Sequence, residues 1–449
     1  MLFSIRLHGL PALAGVILFG ACGGESSHAD RPDVLLICLD TTRADALGPF
    51  RRMGSGLFDG DRAAKTPFLD QLAKESLVFS NAWAGSTWTG PSSATIFTGL
   101  IPPRHGLILN LWAQVATGRD ERKLLDYMAD VELIAMPTSV PTIPEHMQAA
   151  GYQTVGVSTN PNLCEDFGFT RGFDVFHNLT DVPASETVDD LLGLVQALDE
   201  NRPRFFFLHL NDPHTPYVSH APWCQHTTGE GCNNQCRYRS EISFLDAELR
   251  RLFDSLSLAD DAVVILVNDH GEEFHDHGDI GHRYSVHQEL ARAALLIRAP
   301  GVQPRRTDLP AHQMDILPTL LHILDLAPPE TRDGISLLGA LDDAEQRLRP
   351  LITHREGGQD GAELWGLTLG RWRLMEEVPE GFVKLYDIEQ DPLELNDLSE
   401  TRPEILAGLR GRLAKLRADL KPIPFEHIKV NMTAKLTEEL IKLGYAGEH

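Results

Sequence analysis

Four short apolar runs punctuate the chain: 33–39 (DVLLICL), 204–210 (RFFFLHL), 262–267 (AVVILV) and 293–298 (AALLIR). Runs of this length without period-two alternation read as strands buried on both faces. Three of them end at residues that carry chemistry: Asp40-Thr41-Thr42, Asp212-Pro213-His214 and Asn268-Asp269-His270-Gly271. Between the runs, a 3.6-residue period predicts helices over 67–74, 238–252 and 316–326, the first with Thr66 as N-cap and Pro67 in its opening turn. Pro91 and Gly99 frame a further short helix with Thr89 at its N-terminus. The alternation describes an open α/β sheet, which binds ligands beyond the carboxyl ends of its strands. From about Pro329 the pattern changes to short mixed segments, 365–374 and 382–386, and then a helix over 402–420. These form a smaller domain, 329–420, closing the rim of the cleft, with a tail at 421–449 that is amphipathic near 433–443. An extra segment at 110–142 is expected to hold a helix near 120–130.

The first 22 residues lie outside this pattern. Arg6 and His8 precede an apolar stretch from Leu10 to Phe19 that closes on Gly20-Ala21-Cys22, as an export signal does. The ending resembles a bacterial lipoprotein box, which makes Cys22 a lipid anchor and 23–31 a tether. Such a chain is expected in the cell envelope, bound to the membrane, where disulfides are permitted. Cys164, Cys224, Cys232 and Cys236 are then expected to form two disulfides, and Cys38, inside a strand, to be a core residue.

The chain has 449 residues, 42% of them hydrophobic, enough for one large and one smaller domain. With 40 basic against 64 acidic residues the net charge is −24, and no long basic stretch is present, which argues against nucleic-acid binding. The same negative field repels anionic substrates, so an anion site must be built locally from metal, helix dipole or Arg and His groups.

The densest chemistry lies in 261–289, where His270, His275, His277, His282 and His287 fall within eighteen positions. Asp269 and His270 leave a buried strand together, and carboxylate with imidazole is a donor set for a divalent metal. Asp40, at the end of another buried strand, is the candidate partner. Thr89 sits where free N–H groups and the helix dipole favour negative charge, so its hydroxyl is a candidate nucleophile.

The order of segments resembles the sulfatase family of the alkaline-phosphatase superfamily from Pro32 to the C-terminus. The matching pieces include PDVLLICLDTTRAD, TGPSSATIFTGLIPPRHG, FFFLHLNDPHTPY, VILVNDHGEEFHDHG and LYDIEQDPLELNDL. The resemblance implies a doubly wound, mostly parallel α/β domain at 32–328, a smaller C-terminal α+β domain and metal-assisted covalent ester hydrolysis. It places Asp40, Thr89, Asp269 and His270 around one divalent ion (Ca, Mn, Zn or Mg), with a second ion a further option. It places Thr89 as nucleophile and His214 and His282 at the substrate and the leaving group, with Asn160 as a further substrate contact.

The departures from the family narrow the chemistry. Sulfatases read Cys or Ser, x, Pro, x, Arg and convert the first residue to formylglycine; this chain reads Thr89-Gly90-Pro91-Ser92-Ser93. Thr41 replaces a common second aspartate, and Ser158-Thr159-Asn160 stands where many sulfatases carry Lys and His. The formylglycine route is thereby excluded. A plain threonine resembles the phosphodiesterases and phosphotransferases of the superfamily. The expectation is a hydrolase acting on a small-molecule, glycan or lipid ester of sulfate, phosphate or phosphonate. The alternatives are a phosphotransferase acting on a lipid or glycan, and a noncatalytic glycan-binding lipoprotein.

Overall fold

The computed structural model describes residues 31–51, 58, 63–108, 130–180, 182–224, 233–256, 258, 261–282, 285–357, 362–379, 381–424 and 426–431. Its strands, in chain order, begin with β1 (Val34–Leu39), β2 (Leu77–Trp83), β3 (Asp130–Ala135), β4 (Gln153–Ser158) and β5 (Val175–Asn178). β6 (Arg204–Leu210), β7 (Val263–Asn268), the short pair β8 (Glu273–Phe274) and β9 (Ile280–Gly281), β10 (Arg292–Arg298), β11 (Arg305–Thr307) and β12 (Ala311–His312) follow.

β1 lies between β6 and β7 and runs parallel to both, so that Leu39, Leu210 and Asn268 end at one level. The nine-stranded sheet has the order β11-β2-β10-β7-β1-β6-β4-β5, with β12 also paired to β2. It is mostly parallel; β10 alone runs against its neighbours β2 and β7. Alternate residues of β1 enter two cores. Val34, Leu36 and Cys38 face one layer of helices, and Leu35, Ile37 and Leu39 face the other. Burial on both faces is why the apolar runs show no alternation.

The predicted helices form, two of them with the predicted ends: α1 (Pro67–Lys74) and α2 (Thr89–Thr98), which closes at Gly99 with φ +69. Two others span Asn234–Leu256 and Ile316–Ile323. Thr66 occupies the N-cap position of α1 without capping it: its Oγ1 accepts from Gly48 N at 3.0 Å. Asp246 does the capping, accepting from Phe68 N at 3.0 Å and Leu69 N at 2.9 Å. A carboxylate makes the stronger, charge-assisted bonds, and no local pattern reveals one 177 residues away.

The C-terminal part is a four-stranded antiparallel sheet, β13 (Leu351–Gly357), β14 (Ala362–Leu369), β15 (Trp372–Val378) and β16 (Val383–Asp387). The segment read from sequence as 365–374 is thus two strands joined at Gly370, whose φ of +58 suits the turn. The helix Pro403–Asp419 packs Leu409 and Leu413 onto this sheet. β17 (Glu426–Asn431) returns to pair with β3. The expected helix near 120–130, the amphipathic stretch 433–443, and Cys22 with its preceding signal lie outside the described residues.

The two-disulfide expectation does not hold among the described residues. Cys38, Cys164, Cys224 and Cys236 form no disulfide with one another, and Cys232 lies outside the described set. Cys224 and Cys236 come closest, with sulfurs 2.8 Å apart, beyond the ~2.05 Å of a covalent bond. Cys164 packs against the main core, where burial raises its thiol pKa to about 11. Cys38 is a core residue, as expected. Among the described residues no helix is long and apolar enough to cross a membrane.

Candidate active site

Five of the seven candidate residues come from the carboxyl edge of the sheet: Asp40 after β1, Asn160 after β4, His214 after β6, and Asp269 and His270 after β7; His282 follows β9 of the separate short pair. Thr89 approaches from the side as the first residue of α2. Its Oγ1 lies 3.3 Å from His270 Nε2 and 3.5 Å from Asp40 Oδ1, and His270 Nε2 is 3.4 Å from Asp269 Oδ2. All four side chains are buried. Ser92 locks the helix start to the strand end, its hydroxyl 2.6 Å from the carbonyl of Asp269 and 2.7 Å from Gln313 Oε1.

The hydrogen bonds determine which atoms face inward. His270 Nδ1 donates to Gly271 O at 2.9 Å, leaving Nε2 as a lone pair toward Thr89 and Asp269. Asp269 Oδ1 accepts from Thr41 N at 3.0 Å and His270 N at 2.6 Å, whereas its buried Oδ2 has no hydrogen-bond partner. Thr41 holds a φ of +45 to deliver its N–H, a strained conformation for a β-branched residue that the surroundings must enforce.

His209, read from sequence as a core or supporting residue, is fully buried with Nε2 3.4 Å from Asp40 Oδ2, and neither ring nitrogen makes a hydrogen bond. Asp40, His209 and Asp269 offer ligand atoms within 4.8 Å of one another. Burial, then the charge of Asp269, raises the carboxyl of Asp40 well above its usual range, and burial pushes Asp269 to about 7. Buried acceptor atoms converge here, and the residues fit a divalent ion.

The remaining candidates differ in placement. Asn160 donates its amide to Asp40 Oδ2 at 2.6 Å and to Asn211 Oδ1 at 3.2 Å, and its carbonyl accepts from Asn162 N at 2.9 Å. Expected at the substrate, Asn160 sits behind Asp40. His214 donates Nδ1 to Thr215 O at 2.7 Å, which makes Nε2 the acceptor; burial lowers its pKa to about 4. His282 stands across from it, ring centroids 5.3 Å apart and 4.6 Å from His270. Its Nδ1 lies 3.1 Å from Glu272 Oε1. Glu272 was not picked out from sequence, and His209 only as a core or supporting residue. Their signal was proximity to recognised motifs, two residues after His270 and one before the end of β6.

The Sulfatase family signature matches residues 32–326. The chain belongs to the sulfatase family of the alkaline-phosphatase superfamily. Its fold and membership make it an ester-bond hydrolase. Choline-sulfatase of Rhizobium meliloti (strain 1021) is 24% identical over 461 residues, covering 82% of this chain and 83% of the relative. The multifunctional alkaline phosphatase superfamily protein PehA of Trinickia caryophylli is 26% identical over 407 residues, covering 70% and 78%. The phosphonate monoester hydrolase of Agrobacterium radiobacter superposes with a TM-score of 0.67 at 17% identity, covering 86% of this chain and 96% of that one. Members of this family generally use a divalent metal ion, and the inward-facing acceptors supply candidate ligands for one.

Proposed function

We propose that the chain is a metal-dependent hydrolase that attacks a phosphodiester or phosphonate ester, ahead of a sulfate ester, with Thr89 as covalent nucleophile. The observation that carries this is the Thr89 hydroxyl, 3.3 Å from His270 Nε2 and 3.5 Å from Asp40, at a position where the formylglycine route is closed. Asp40, Thr89, Asp269 and His270 would hold a divalent cation, which would supply Lewis-acid polarisation of the hydroxyl and of the ester's nonbridging oxygens. Thr89 Oγ1 attacks phosphorus or sulfur in line, its proton directed at Asp40. The opening N–H groups of α2 face the charge that develops on the tetrahedral centre.

His282, steadied through Nδ1 by Glu272, protonates the leaving alcohol. His214, whose Nε2 is an acceptor, takes the proton of the water that releases the threonine ester. Asn160 serves by holding Asp40 rather than by touching substrate. Export and tethering through Cys22 belong to the same proposal, because a lipid-anchored envelope enzyme meets ester substrates outside the cell.

The test is a panel of aryl sulfate, phosphate monoester, phosphodiester and phosphonate monoester substrates with added Mn, Zn, Ca or Mg. Phosphodiester or phosphonate hydrolysis is expected to dominate. Hydrolysis of the aryl sulfate alone overturns the substrate assignment. An added alcohol acceptor that diverts the product identifies a transferase.

A further inference from the structure

We propose that Glu394, in the C-terminal domain, is a positioning residue for the loop that carries His282. It clasps both ends of that loop. At the near end His277 reaches the main-chain oxygen of Glu394 with Nε2 at 3.1 Å and Glu289 Oε1 with Nδ1 at 2.7 Å. At the far end Glu394 Oε2 accepts from His287 Nδ1 at 2.7 Å and from Gln288 N at 3.1 Å. The rings of His277 and His287 stack at 3.5 Å and 6° between these contacts, which closes the loop. Arg373, fully buried, lies 3.2 Å from Glu394 Oε1 and also donates to the carbonyl of Val286.

The clasped segment leads directly to the reacting groups. Thr87, two residues before the nucleophile, donates its hydroxyl to Ser285 O at 3.1 Å. Gly271 N, next to His270, donates to Leu290 O at 2.8 Å. A carboxylate 1% exposed, at a φ of +54, is a costly feature for a residue outside the proposed ligand set. The cost is intelligible if the position of the loop matters to the chemistry, since misplacement of about 1 Å can lower a rate about 10²-fold.

The inference rests on the reading of His282 as proton donor to the leaving alcohol, and the test separates the two. The esters are those of the acid that the wild-type enzyme hydrolyses fastest, with either a 4-nitrophenyl or an alkyl leaving group. An alkoxide leaving group needs the proton; 4-nitrophenolate does not. The variants are Glu394→Leu with Arg373→Met, which leaves no unpaired buried charge, and Glu394→Gln, which keeps the hydrogen-bond acceptor. His282→Ala is the reference. For His282→Ala, kcat is expected to fall about 10²-fold on the alkyl ester and only a few-fold on the aryl ester. The double variant is expected to follow the same split, with KM within about twofold, and Glu394→Gln to restore most of the loss. Equal losses on both esters in the double variant, or no loss, overturn the role of Glu394. Equal losses in His282→Ala, where Glu394 is intact, overturn the reading of His282 and this inference with it. Should the double variant fail to fold, Glu394→Gln is read alone on the same two esters. A smaller loss confined to the alkyl ester then supports the role, and its absence overturns it.

Discussion

The amide of Asn160 donates to the carboxylate of Asp40 across 2.6 Å, joining residues 120 positions apart in the chain. The bond orients one oxygen of a buried carboxylate whose other oxygen lies near Thr89. Contacts behind a metal ligand typically alter affinity about 10–100-fold. Asn160→Ala is therefore expected to weaken metal binding by that factor while kcat at saturating metal stays within several-fold. Metal titration of the purified variant checks this; unchanged affinity rejects the assignment.

Thr89→Ala is expected to lower turnover by at least about 10³-fold, with the fold preserved and, at saturating metal, the metal content retained through Asp40, Asp269 and His270. The change removes only the hydroxyl and the γ-methyl from a first helical turn that Ser92 keeps docked on Asp269. Circular dichroism, metal analysis and turnover on the best ester from the panel give the three readouts. Normal turnover refutes the nucleophile assignment.

Removing the cation with a chelator is expected to abolish activity and to lower the melting temperature, since an ion bound only by the folded state stabilises it by mass action. Re-addition of one equivalent should restore both. Full activity after exhaustive chelation, confirmed by metal analysis, removes the basis for the ligand set.

Gly271→Ala tests the clearance beside His270. A Cβ at this position would lie 1.9 Å from the carbonyl oxygen of Glu289, a backbone atom. Either His270 or the 285–290 segment must move. A stability loss of about 1–3 kcal/mol is expected, together with a fall in kcat. Urea unfolding and turnover measure the two; a variant with wild-type values in both shows that the contact has slack.

Acid sensitivity follows from two histidines remote from the cleft's carboxylates. Burial pushes His105 to about 3 and His312 to about 4. Each accepts a main-chain N–H at Nδ1, from Leu107 and Met314 respectively, so protonation there is blocked in the fold. Because the folded pKa lies below the ordinary value of about 6.5, the unfolded chain binds more protons between the two. The stability these groups contribute is present above about pH 6.5 and is lost as pH falls toward 4. From pH 7 to 5, His312 alone accounts for a loss of about 2 kcal/mol. Urea unfolding of wild type and His312→Gln at both pH values checks the sign: the variant should lose less on acidification.

The strands were legible because burial on both faces leaves a signature in each run by itself; RFFFLHL is a strand from Arg204 to Leu210 at both levels of description. The candidate cluster was legible in part for a related reason. Asp40, Asp269 and His270 follow such strands, and in a parallel sheet all strand ends reach one edge. Pro91 and Gly99 likewise marked a helix start for Thr89. What local pattern cannot encode is a partner far along the chain. The antiparallel direction of β10, the capping of α1 by Asp246 and the placement of Asn160 behind Asp40 are all of this kind.

By itself the sequence determined the apolar runs, the helix starts and the residue types at the strand ends, because these depend on neighbours within a few positions. Only the tertiary structure decided which lone pairs face one another. It set His209 against Asp40, turned His270 Nε2 toward Thr89 and closed the His282 loop onto Glu394. Hydrogen-bond direction at a buried atom depends on every donor within about 3 Å, and those donors come from elements that meet only when the sheet is assembled.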